Sequence, residues 1–225
     1  MTDVADDLTL DEVRIALAPE IAMAAMFDGW SEAALDAAAD NAGIDPAIAR
    51  LAFPAGGRGS RAMDMIDAWI ASIDARMAEE FADGRLGNMS IRQRIRSLVW
   101  FRLEAIAGLE EALARAVTVQ AMPQNVAAAM KQGWRSADTM WRLAGDTATD
   151  YNHYTKRAIL ASIYAATLAV WKSDESEDKA DTAAFLDRRI DGVMQFEKVK
   201  AQFLGKDREH FDVARFLGRL RYPQG

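Results

Sequence analysis

The chain contains no cysteine and only two histidines. The first absence removes disulfide staples and thiolate metal sites, and it gives no sign of an oxidising compartment. The second leaves little material for imidazole chemistry. Proline is scarce, with five among 225 residues. No stretch alternates β-branched and polar residues as a strand does. Long hydrophobic runs are also missing. The longest, Ala158 to Trp171, has 14 residues and includes Ser162, Tyr164 and Thr167, whereas a membrane span needs roughly 20. It reads as a buried helix at the centre of a domain. The N-terminal segment carries acid and no apolar block, unlike a signal or transit peptide. Positive charge is short as well. The formal net charge of -7 argues against non-specific attraction to nucleic acid. A cytoplasmic protein is the simplest expectation.

Catalytic constellations are absent too. No nucleophile elbow occurs, and Gly56-Gly57-Arg58-Gly59 follows no strand and lacks the lysine of a phosphate loop. His153 and His210 each follow an aspartate, Asp150 and Asp207, by three residues. That spacing shares a helix face, but a di-iron bundle also needs glutamates on facing helices. These absences imply a protein that binds rather than transforms, with no catalytic residue, no metal and no cofactor.

What is present is helical periodicity. A first helix is expected from Thr9 to Phe27, with Ile15, Ala18, Ala22 and Met26 as its stripe. Ser31 can cap a short helix that Gly43 stops, and Asp45 with Pro46 opens the next. Residues 9–54 therefore form a helix-turn-helix outline. Its second helix, Asp45 to Phe53, offers one arginine and small apolar residues, with Arg58 and Arg61 nearby. Base readout needs more Arg, Lys, Asn or Gln than that. The module is thus expected to be a retained packing unit, with a transcription regulator that binds an apolar small molecule as the alternative. Longer helices are expected from Ser60 to Phe81, from Ser90, from Pro123, from Asp150 to Trp171 and from Asp181 to Leu204, and a last short helix from Asp207 to Leu220. The fold class is all-α, with a three-helix module over 1–59, a helical ligand-binding and dimerisation bundle over 60–205 and a terminal helix over 206–225.

The block Gly145-Asp146-Thr147-Ala148-Thr149-Asp150-Tyr151-Asn152-His153-Tyr154-Thr155-Lys156-Arg157 is similar to a signature of the ubiquinone-biosynthesis accessory family, the ninth Coq protein, including its bacterial members. Trp69, Phe53-Pro54-Ala55-Gly56 and Ala184 to Ile190 extend the resemblance over about residues 10 to 200. The resemblance implies a TetR-like fold that has left DNA behind, and a pocket for an apolar lipid or isoprenoid quinone. It also implies a homodimer through the last helices and support of the demethoxyubiquinone hydroxylase. Asp146, Asp150, Tyr151, His153, Tyr154 and Arg157 then become candidates for the partner surface. A plainer reading has Asp146 and Asp150 capping helix ends, with Arg157 paired to one of them. The family usually carries Trp where this sequence has His153.

Met130, Trp134, Met140 and Trp141 on one helix, Tyr164 and Leu168 on the next, and Met194 on a third could surround such a lipid. The same stripe also fits an ordinary core. The segment from Lys198 to Arg221 carries seven basic residues against three acids. Within it Val213, Phe216, Leu217 and Leu220 fall at helical spacing beside Phe211, with Arg215 and Arg219 on the polar side. A basic amphipathic helix of this kind lies on the inner face of a membrane or folds back onto the bundle.

Overall fold

The computed structural model describes residues 8–55, 60–147 and 151–204, without the side chains at 151, 152, 194 and 196–204. Among the described residues there are nine α-helices and no strand. They are α1 (Leu10–Asp28), α2 (Glu32–Ala42), α3 (Pro46–Ala52), α4 (Arg61–Glu80), α5 (Ile91–Glu104), α6 (Glu110–Gln120), α7 (Val126–Leu143), α8 (Tyr151–Ser173) and α9 (Ala180–Leu204). Residues 1–187 make one compact unit and residues 188–225 a second. The first holds α1 to α8 and the start of α9. The described part of the second, 188–204, is the remainder of α9.

Local chemistry explains the helix limits. Thr9 and Ser90 close capping boxes with Glu12 and Gln93, and Ser31, Asp45 and Ser60 cap α2, α3 and α4. Gly43 adopts the left-handed conformation that ends α2, while the Ile44 N–H donates to the Ala39 carbonyl at 2.9 Å. The sequence reading ran no break through 105–109. The structure ends α5 there and starts α6 separately, with Gly108 at φ 79° in the turn.

The α1–α3 module packs on small residues. The buried face of α1 is Val13, Leu17, Ala18, Ile21, Ala22 and Ala25, so the expected stripe is rotated: Ile15 is exposed and Met26 half-buried. Alanine crowds every side of α1 and weakens the periodic signal from which a face is read. Helix α4 links the module to the bundle, packing on α1 and on α5, α6 and α7. The expectation that α8 is enclosed all round is corrected. Ala158, Ser162, Ala165 and Ala169 are exposed, because alanine counts as apolar in a pattern yet costs little in water.

Candidate functional site

Helices α4 to α8 surround a cavity of about 500 Å³, within the roughly 300–1,000 Å³ typical of ligand sites. Its walls are Ile66, Trp69, Ile70 and Ile73 of α4, Leu113, Ala116 and Val117 of α6, and Ala161, Ala165, Leu168 and Ala169 of α8. The α7 wall is Ala129, Gly133 and Ser136, an i, i+4, i+7 face of small residues. Small side chains on one helix opposite Trp and Ile on another leave the void. Trp69 is fixed by Trp30, whose ring lies 5.4 Å away and whose Nε1 donates to the Ala112 carbonyl at 3.1 Å.

Four wall residues, Arg102, Gln120, Ser136 and Lys172, break the apolar lining, and one of them is a fully buried cation. Arg102 of α5 is 1% exposed. Its guanidinium pairs with Asp74, donates to Ser136 Oγ at 3.1 Å, and lies 5.0 Å from the centre of the Tyr164 ring. Its Nε is buried and has no hydrogen-bond partner. Burial works against the charge on Arg102, but Tyr164 and Asp74 hold its pKa above the ordinary arginine value. Burial pushes the Asp74 carboxyl up despite Arg102 beside it. Sequence reading missed Arg102 as a site residue. The signal was there: Arg102 shares a helical face with Ile95 and Leu98, which are buried.

The second feature is the junction of α7 and α8. Gly145, at φ 88°, ends α7 with its N–H on the Arg142 carbonyl and the Asp146 N–H on the Trp141 carbonyl, both at 2.9 Å. A Cβ here would come within 3.1 Å of the Arg94 guanidinium, which donates to the Ala144 carbonyl at 2.8 Å. Asp146 accepts from Lys156 at 2.6 Å and Arg157 at 2.9 Å. Arg157 also donates to Asp138 at 2.6 Å and to the His153 carbonyl at 3.1 Å. Burial would raise the Asp146 pKa, but the bonds from Lys156 and Arg157 hold it below the ordinary carboxylate value.

These contacts separate the partner-surface candidates. Asp146 and Arg157 bond each other, with side chains 7% and 2% exposed and their polar atoms engaged at the junction. Tyr154 is 62% exposed. Its ring lies tilted 5.9 Å from that of Trp134 and meets the half-buried His153 edge-on at 5.2 Å. Asp150 lies outside the described residues, as does the side chain of Tyr151.

The lipid-pocket candidates separate likewise. Tyr164 and Leu168 line the cavity. The α7 residues Met130, Trp134, Met140 and Trp141 do not. Met130 is 72% exposed, Met140 is buried elsewhere, Trp134 joins the Tyr154 cluster, and Trp141 donates to the Lys156 carbonyl at 3.0 Å. The expectation placed bulk around the ligand, whereas α7 turns its small face to the void. The Met194 side chain, Phe211, Val213, Arg215, Phe216, Leu217, Arg219 and Leu220 lie outside the described residues, as does His210. Among the described residues no group of three or more His, Asp or Glu could hold a metal. No described helix is long and apolar enough to cross a membrane.

In the helix-turn-helix, Arg50 of α3 is held by Asp36 at 2.6 Å and Glu32 at 3.4 Å. Arg61 also pairs with Glu32, and Arg58 lies outside the described residues. Leu51 is 65% exposed on α3. A groove-facing helix would need its cation free for phosphate or base.

A three-helix module with a tight α2–α3 turn, joined to a helical bundle with an apolar cavity, is a TetR-like architecture. The TetR transcriptional regulator from Nitrosomonas europaea shares it, with a TM-score of 0.63, 22% sequence identity, and coverage of 81% of this chain and 98% of that one. At that identity the likeness speaks for the fold alone. Residues 126–197, from α7 into α9, match the family model described as COQ9. The mitochondrial ubiquinone biosynthesis protein COQ9 of Rattus norvegicus is 34% identical over 173 residues, 74% of this chain and 54% of the relative. The Homo sapiens protein of the same name is 31% identical over 173 residues, covering 52% of its length. That of Drosophila melanogaster is 25% identical over 209 residues, covering 90% of this chain and 62% of the relative. The chain spans about half the length of the rat and human relatives it matches.

Proposed function

We propose that this protein serves ubiquinone biosynthesis without catalysing a step itself. It holds an isoprenoid quinone precursor, or another apolar lipid, in the α4–α8 cavity and presents it to the demethoxyubiquinone hydroxylase at a membrane surface. The observation that carries the reading is the cavity: about 500 Å³, lined almost wholly by aliphatic and aromatic side chains. The names of the relatives supply the pathway. Tyr154, His153 and Trp134 form an exposed aromatic cluster beside the junction, the type of anchor that protein interfaces use. The acids that hold Arg50 argue against a DNA-binding regulator. In this proposal 1–59 is a retained packing module, 60–205 binds lipid and pairs two copies as a homodimer, and 206–225 supplies peripheral membrane contact.

Native mass spectrometry of the purified full chain tests it. A bound isoprenoid or phospholipid mass is expected. A chain that stays empty after incubation with quinone-containing liposomes overturns the lipid reading.

A further inference from the structure

The cavity is open on one side. Trp69, Arg102, Ile106 and Ser136 are buried at its floor, whereas Val117 of α6 and Ala165, Ala169 and Lys172 of α8 are exposed along its rim. From Val117 the chain runs through the end of α6 and the turn 121–125 into the start of α7. No charged residue occurs between Arg115 and Lys131, in a chain that is 27% charged. The bulk at this corner is apolar and faces water. Val117, Met122, Val126 and Met130 are exposed, with Ala121, Pro123, Ala127 and Ala128 exposed among them. Phe27 and Leu51, exposed elsewhere, stand beside Asp28 and Arg50. The corner is also pinned: the buried Asn125 side chain donates to the Val119 carbonyl at 2.8 Å. An uncharged apolar projection held in place marks a contact surface. We propose that the α6–α7 corner is a membrane-docking element that seats the mouth of the cavity on a lipid surface, so that a ligand passes between bilayer and cavity without crossing water.

The inference rests on the cavity being a lipid site, and it adds the route by which the lipid arrives. Continuity selects the occupant. Val117, Gln120 and Ala129 belong both to the corner and to the cavity wall, so a surface that covers the corner also covers the mouth. Charge selects it again. Lys131 at the edge of the corner and Lys172 at the rim are exposed and form no ion pair among the described residues. An ammonium on a flexible stem reaches headgroup phosphates while its methylenes stay among apolar groups. The depth is shallow. No described helix is long and apolar enough to cross a membrane, and the first N–H groups of α7 have no side-chain cap. Such groups are costly in hydrocarbon, whereas water and phosphate meet them at headgroup level.

The lack of cysteine makes a single-site label clean. The full chain carrying an environment-sensitive dye at Met130→Cys is mixed with vesicles of equal parts phosphatidylcholine and phosphatidylglycerol. A second chain carries the dye at Ala33→Cys, an exposed position of α2. The label at position 130 should shift to the blue and be quenched by spin-labelled lipid, and the label at position 33 should do neither. Transfer of a short-tailed ubiquinone from the vesicles is followed in the unlabelled chain. Met122→Glu with Met130→Glu should slow it by about tenfold, while affinity for the same quinone free in solution stays within about twofold of wild type. The label decides where the double variant does not fold. A label at position 130 that stays in water with vesicles present overturns the inference and leaves the lipid site standing, as does undiminished transfer into the folded double variant. A label there that shifts with protein concentration alone, without vesicles, shows a contact between copies and overturns it too. A wild type that takes up the quinone neither from vesicles nor from solution overturns the lipid reading with it.

Discussion

Arg102 and Arg157 are both withdrawn from solvent, and they keep different company. Arg157 ties the end of α7 to the start of α8 through two carboxylates and a carbonyl. Arg102 has one carboxylate, one hydroxyl and a tyrosine ring, and its buried Nε has no partner. Equal burial therefore does not mean equal purpose. At the junction the acceptors satisfy the guanidinium and fix two helices. At the cavity wall one donor is left over, enclosed by protein atoms.

The comparison is broken most directly at the junction. Arg157→Met leaves Asp138 with Arg142 and Asp146 with Lys156, each having lost its buried partner. Removing one side of a buried ion pair costs about 3–5 kcal/mol, read as a shift of the urea midpoint at neutral pH. A loss below about 1 kcal/mol, the scale of an exposed pair, would show that the clamp does not hold the helices. Arg102→Met should cost less, about 1–3 kcal/mol, because the Asp74 carboxyl is already pushed up by burial and takes a proton more readily. Adding Asp74→Leu should restore stability to within about 1 kcal/mol of wild type.

A smaller effect sharpens the cavity side. Gly133 sits inside α7, and a Cβ there would meet no atom within 4 Å. Gly133→Ala should therefore stabilise the fold by up to about 1 kcal/mol, the helix-propensity difference. Gly133→Leu puts bulk into the void. Its stability should stay within about 1 kcal/mol of wild type, while affinity for a short-tailed ubiquinone falls. Unchanged affinity in a folded Gly133→Leu chain would place the ligand elsewhere.

Sequence made the helices, their caps and the helix-turn-helix legible, because Ser31, Asp45, Pro46, Ser60 and Ser90 act locally. It left the cavity wall obscure for a physical reason. A void is made by what is small, and Ala129, Gly133 and Ser136 carry no conspicuous chemistry. Met130 and Trp134 drew notice by their bulk, yet they lie on the other side of α7. The junction was half legible. Its acids and arginine were recognised together, but spacing alone could not decide between surface contact and mutual burial. In the structure Asp146 and Arg157 bond each other at 2.9 Å, and Arg94 donates to the Ala144 carbonyl beside them.

The smallest expected effect is the one that tells the two regions apart without a ligand. Asp146 has a folded pKa below its ordinary value of 3.8. Its stabilisation is therefore fully present above that value and is lost as pH falls through the folded pKa. Asp74 has the opposite shift from the same reference. Its contribution is present below 3.8 and is lost as pH rises through the folded pKa. Acidification should thus loosen the junction while it relieves the cavity floor. Melting temperatures followed between about pH 5 and pH 3 should fall less steeply for Asp146→Asn than for wild type, and more steeply for Asp74→Asn. Asp146→Asn should also start from a lower melting temperature at neutral pH, since the amide cannot replace a carboxylate between Lys156 and Arg157. If both variants follow the wild-type slope, neither carboxylate holds the ionisation that separates clamp from cavity wall, and the contrast between the two arginines then rests on geometry alone.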